Sequence, residues 1–182
     1  MSRWIYETDM DDTTRYVLGN RAKKMIACLG INPSTAKPGD PDNTLRSVER
    51  VTTFNGYDGF LVFNVYPQRA TNPEKLHLKM DTDLNSKNVE SIVKAVAKFE
   101  IHTLWLAYGN LIESREYFSF CFLSIVKALM PYNISWKTAG GITAKGHPRH
   151  PLYLPAKTGF VDFNLENYLK SRFNFPDTKR HP

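Results

Sequence analysis

At 182 residues the chain has the length of one domain, long enough to bury a core without disulfides or a structural metal. Its 42% hydrophobic and 23% charged residues exclude a disordered or fibrous chain, and no apolar run reaches the roughly eighteen residues that a membrane span needs. The net charge of +6 favours an anionic partner, because a basic field concentrates phosphate-bearing molecules, although dispersed Lys and Arg also serve solubility alone.

The start, Met1 to Asp12, is acidic and contains Trp4, so it lacks the basic and apolar regions of a signal peptide, and a cytoplasmic chain is expected. Arg15 to Leu18 reads as a short strand, and Gly19-Asn20-Arg21 turns the chain toward Met25 to Ile31. That continuous apolar run has the pattern of a strand covered on both faces, with Cys28 as a small core hydrophobe. It stops at Asn32-Pro33, and a polar loop to Asp42 precedes a helix from about Thr44 to Phe54, capped by Asp42 or Asn43. Phe60 to Tyr66 is a second apolar strand, broken by Asn64 and ended by Pro67. Leu84, Ile92, Val93, Val96 and Ala97 fall at helical spacing within Asp83 to Phe99.

Thr103 to Tyr108 is a third buried strand closed by Gly109, and Asn110 is placed to cap one long helix to Leu129, which carries Cys121. Ile134 to Thr138 is a weaker fourth strand nearer the sheet edge. No repeat or linker divides the chain, so one α/β domain over residues 1–182 is expected. The alternation predicts three α/β/α layers around a central, mostly parallel, four-stranded sheet. Such sheets bind ligands outside the carboxyl ends of their strands, so the loops after Ile31, Tyr66, Tyr108 and Thr138 are expected to converge.

The polar residues of those loops are the candidates for chemistry. Pro33 restricts Asn32 to an extended conformation, so its amide either orients a water or closes a local Asx turn. Asn64 offers a donor and an acceptor of the kind that grips the edge of a base, or it bridges two loops. Arg46 and Arg69 are candidate phosphate contacts or solvated charges. Gly146-His147-Pro148-Arg149-His150-Pro151 places two imidazoles at the same rim, with His150, directly before the apolar Leu152-Tyr153-Leu154, the better anchored. Ser34 and Tyr66, on the first two loops, complete the substrate-binding set. Asp40 and Asp42 flank Pro41, but such carboxylates usually cap or face solvent, so neither a metal nor another cofactor is expected. Walker, G-x-G-x-x-G, H-E-x-x-H and G-x-S-x-G motifs do not occur.

Taken together, Arg15-Tyr16, Asn32 to Ala36, Asp42 to Arg46, Asn64 to Thr71 and His150 to Leu154 resemble a bacterial and phage family known only as a domain of unknown function. The order of motifs also resembles the uracil-DNA glycosylase superfamily, in its mismatch-specific branch. The first motif of that branch reads G-I-N-P-G, and its last places Asn or His before Pro. Gly30 to Pro33 match the first, with Ser34 in place of its second Gly, and His150-Pro151 match the last. The resemblance implies Asn32 as the residue that orients attacking water, Asn64 as base reader and His150 as stabiliser of the departing base. It further implies a partner that is DNA or a nucleotide, with the target base flipped out of any duplex. A binding module without turnover, or an enzyme of unrelated chemistry on the same scaffold, are the other readings open at this point. Oligomeric state is not encoded in these patterns.

Overall fold

A computed structural model describes residues 4–173; the first three and last nine positions of the expected 1–182 domain lie outside it. The elements in chain order begin with strands β1 (Trp4–Thr8), β2 (Arg15–Asn20) and β3 (Met25–Gly30), then helix α1 (Asn43–Phe54) and strand β4 (Gly59–Asn64). Helix α2 (Thr82–Lys98), strand β5 (Thr103–Leu106), helix α3 (Glu116–Leu129) and strand β6 (Ser135–Ala139) follow, and β7 (Phe160–Asp162) and α4 (Leu165–Phe173) complete the described chain.

The sheet is mixed and seven-stranded, in the order β1-β2-β4-β3-β5-β6-β7, and this corrects the expected four-stranded, mostly parallel one. β4, β3, β5 and β6 run parallel in its middle, whereas the β1–β2, β2–β4 and β6–β7 pairs are antiparallel. The added strands are those whose sequence carries little signal. β1 is half-buried at one edge, and β7 is only three residues long. The long helix expected over Asn110 to Leu129 is also corrected. Gly109 adopts φ +64°, residues Gly109–Glu113 form a 3-10 turn, and α3 starts after Arg115.

Helices cover both faces. Ala27, Leu29, Leu61, Phe63, Leu104 and Leu106 pack toward α2, α3 and α4, together with Ile92, Phe118 and Leu169. Ile26, Cys28, Phe60, Val62 and Trp105 face Leu45, Val48 and Val51 of α1. The alternation that a strand imposes on its side chains thus divides the molecule into two cores. Both cysteines are buried and free, and burial pushes their thiols upward. No helix among the described residues is long and apolar enough to cross a membrane.

The register sets the working end. Gly30 lies opposite Asn64, and Leu29 opposite Leu106, so β3, β4 and β5 end at one level. From β3 the chain crosses to β4 on one side and later returns to β5 on the other. Such a reversal leaves a crevice at the carboxyl ends of the strands.

Candidate functional site

The crevice holds a cavity of about 190 Å³ floored by Cys28, Gly30, Val62 and Ala107 and walled on one side by Thr44, Leu45 and Val48 of α1. Its polar lining includes Arg15, Asn32, Ser34, Asp42, Asn64 and His150. Engineered cavities of about 150 Å³ admit benzene, so this one is large enough for a single heteroaromatic ring. It shares Thr71, Leu111 and His150 with a wider groove of about 580 Å³ that is also bordered by Arg149 and Tyr153.

Asn64 occupies the last position of β4, on the α1 face like Val62 two residues earlier. It is 2% exposed, and its Nδ2 has no hydrogen-bond partner among the described residues. Buried amides are almost always paired, so an unpaired donor at a cavity wall marks a position that a ligand can satisfy. The backbone around it is fixed from the opposite face, because the buried Asn88 of α2 donates from Nδ2 to the Asn64 carbonyl at 3.0 Å. Gly30 makes room for the amide: a Cβ there would stand 3.0 Å from Asn64 Oδ1.

Asn32 joins two loops. Its Nδ2 donates to the carbonyls of Pro33 (3.0 Å) and Ala70 (2.8 Å), and Ala70 N donates back to Pro33 O. The amide hydrogens are therefore committed to the backbone, and an acceptor is what this side chain has left to offer a ligand or water. His150 presents the opposite polarity. Its Nδ1 accepts from Leu152 N at 3.3 Å, which places the ring proton on Nε2. Burial lowers its pKa, with Asp42 pulling the other way, so the ring is a neutral Nε2–H donor at neutral pH. Gly109 supports this placement, since its left-handed backbone passes where even a Cβ would come within 3.3 Å of His150 Cβ.

Arg15 is the residue that sequence reasoning left without a role of its own. β2 is antiparallel to β4, with Leu18 opposite Val62, so the amino end of β2 lies beside the carboxyl end of β4. Arg15 is 4% exposed, donates from one terminal nitrogen to Ala36 O at 2.9 Å, and leaves Nε without a partner. Burial first, then repulsion from Arg69, holds its pKa down to about 10, against the attraction of Asp42. It remains a cation at neutral pH. Asp42 is committed to capping α1 through Leu45 N at 2.8 Å.

Four of the eight predicted residues, Asn32, Ser34, Asn64 and His150, thus meet at the cavity, and four do not line it. Tyr66 lies beyond the end of β4, in the core under α2 and α3; it is fully buried and bonds His77 Nδ1 at 2.8 Å. His147 is turned inward, between Tyr168 OH at 2.7 Å and Glu113 Oε1 at 2.9 Å. Arg46 is an exposed residue of α1 and donates to Asn43 Oδ1 at 3.2 Å. Arg69 is a clamp behind the wall: it pairs with Asp12 at 3.0 Å and donates to the Ser34 carbonyl and to Tyr6 OH.

Asp12 anchors that clamp. Its bond to Lys37 above all, with Tyr6 and Arg69 adding, holds its carboxyl down to about 2 against the opposing effect of burial. A carboxylate depressed in this way contributes stability that is present above its unfolded pKa and is lost as pH falls through the folded one. Between about pH 4 and 2, Asp12→Asn is therefore expected to flatten the acid-induced drop of the thermal midpoint, a comparison that scanning calorimetry makes directly. A steep drop unchanged by the substitution would mean that Asp12 does not carry the clamp.

Fold and site together define a mixed α/β protein with a ring-sized cavity at its strand ends, lined by residues of which two, Arg15 and Asn64, carry buried donors without partners. The chain belongs to the family described as protein of unknown function (DUF1643), which matches residues 15–152, from the buried arginine to just beyond His150. No curated protein matches it.

Proposed function

We propose that the protein recognises a nucleobase, in a nucleotide or extruded from DNA, and acts on its N-glycosidic bond in the manner of the uracil-DNA glycosylases that its motifs resemble. The observation that carries this reading is the unpaired, 2% exposed Asn64 amide at the wall of a ring-sized cavity. Asn64 reads the base edge, and the His150 Nε2–H donates to the base oxygen as charge develops there on bond cleavage. The remaining acceptor of Asn32 orients the water that attacks the sugar carbon. The convergence of Gly30 to Asn32, Asn64 and His150-Pro151 on one cavity supports this assignment. The wider groove alongside supports a ligand larger than a free base: Tyr153, 83% exposed, offers a face on which a neighbouring base stacks, and Arg149 offers a phosphate contact.

Release of free base from oligonucleotides containing uracil, mismatched thymine or modified pyrimidines tests the proposal. Wild type is expected to release base, and His150→Ala and Asn32→Ala to lower turnover by about 10²-fold or more, the scale of losing a transition-state donor or a positioned nucleophile. A binding module without turnover is the second reading, favoured by the commitment of both Asn32 amide hydrogens to the backbone. It predicts base-dependent binding with no release from any substrate. A DNA ligand further requires affinity that falls steeply with added salt.

A further inference from the structure

Two of the residues that line the cavity carry a buried polar atom without a partner, and both atoms are donors. Arg15 Nε and Asn64 Nδ2 are buried donors without partners, and His150 offers Nε2–H. A ligand complementary to them is rich in acceptors. Arg15 adds a full charge, and a guanidinium that is 4% exposed with no carboxylate within ion-pair distance among the described residues is an unusual thing to bury. Asp42 is the one carboxylate in the lining, and its oxygen is drawn to the amino end of α1 by Leu45 N. Arg69 repels Arg15 and is itself balanced by Asp12. The Arg15 charge is thus answered by nothing closer than the Ala36 carbonyl.

We propose that Arg15 is an oxyanion receptor within the cavity, and that the ligand is a heterocycle bearing an oxyanion, either a carboxylate on the ring or the phosphate of a nucleotide. This deepens the base-recognition reading and rests on it for the heterocycle, but not for the oxyanion. The planar fork of a guanidinium suits both carboxylate and phosphate, and burial strengthens the pairing because the cation has already lost its water. The bound anion supplies a countercharge in direct contact, where Asp42 and Asp12 act on Arg15 only from beyond ion-pair distance.

Calorimetric titration with two matched pairs, orotate against uracil and deoxyuridine monophosphate against deoxyuridine, tests this in wild type, Arg15→Gln and Arg15→Lys. In wild type one anionic partner is expected to bind at least about tenfold tighter than its neutral counterpart. The orotate pair reports a ring carboxylate, and the nucleotide pair a phosphate. Arg15→Gln is expected to erase that preference while leaving the neutral compound's affinity within a few-fold, and Arg15→Lys to retain part of it. Neutral and anionic partners binding wild type within twofold would overturn the proposal even if Arg15→Gln fails to fold, and so would a preference that survives in folded Arg15→Gln. Inorganic phosphate separates the two claims. If it binds wild type as tightly as the nucleotide, loses binding in Arg15→Gln, and Asn64→Leu changes nothing, base recognition fails and the oxyanion receptor stands.

Discussion

Asn64→Leu is expected to weaken binding of a pyrimidine ligand by two orders of magnitude or more and, at the same time, to leave the free protein as stable as before or more so. Loss of function and loss of stability usually travel together, which is why the opposite signs are diagnostic. The Asn64 side chain is buried with its Nδ2 unpaired, so the empty protein bears the desolvation of a donor without the bond that would offset it. Removing such a group recovers on the order of 1–3 kcal/mol, whereas the bond that the ligand makes to it is lost entirely. Leucine is close in size and leaves the Asn88 bond to the backbone carbonyl in place. Thermal unfolding with and without uracil reads both quantities. A lower midpoint in the free protein would identify Asn64 as a structural bridge and remove it from the site.

The second large effect belongs to an arginine that touches no ligand. Arg69→Met is expected to cost about 3 kcal/mol, as breaking a largely buried, multiply bonded charge does, and so to lower the thermal midpoint by about 6–12 °C at this chain length. Its side chain is 12% exposed and ties Asp12, Tyr6 and the Ser34 carbonyl together across three segments. The same loop provides Ser34 and Ala36 to the cavity, so ligand affinity is expected to fall as well. Arg46→Ala, on the exposed face of α1, is expected to change stability by no more than about 0.5 kcal/mol. Equal effects of the two substitutions would refute the clamp.

That contrast shows where sequence reading stops. Both arginines follow strands of the working end, and nothing in their neighbours separates an exposed helical charge from a buried clasp whose partner, Asp12, lies 57 residues away. The buried strands were legible because strands covered on both faces are continuous apolar runs, as Met25 to Gly30 and Gly59 to Asn64 are. Asn64 was legible for the same reason, as the one polar residue in such a run. Antiparallel edges were not: Phe160–Asp162 is too short to show a period, and β1 pairs with β2 through a register that only the folded hairpin reveals.

Arg15 was visible as the first residue of a strand, but the rule that places function after the carboxyl ends of strands looks past the start of an antiparallel neighbour. Its position becomes apparent only when Leu18 is set opposite Val62. His150 and His147 illustrate the converse. Three residues apart in one loop, they part because His147 finds Tyr168 and Glu113, while His150 is held by Leu152 N at the cavity edge.

The central claim is that the Asn64 amide at the strand ends reads the ligand. The most direct measurement follows the side-chain amide resonances of ¹⁵N-labelled protein as uracil is added. The Asn64 Nδ2 pair, together with the backbone amides of Gly30, Ile31, Asn32, Ser34, His150 and Leu152, is expected to shift progressively and to become protected from solvent exchange. Saturable uracil binding that leaves the Asn64 pair unmoved, with shifts gathered elsewhere on the protein, would contradict it.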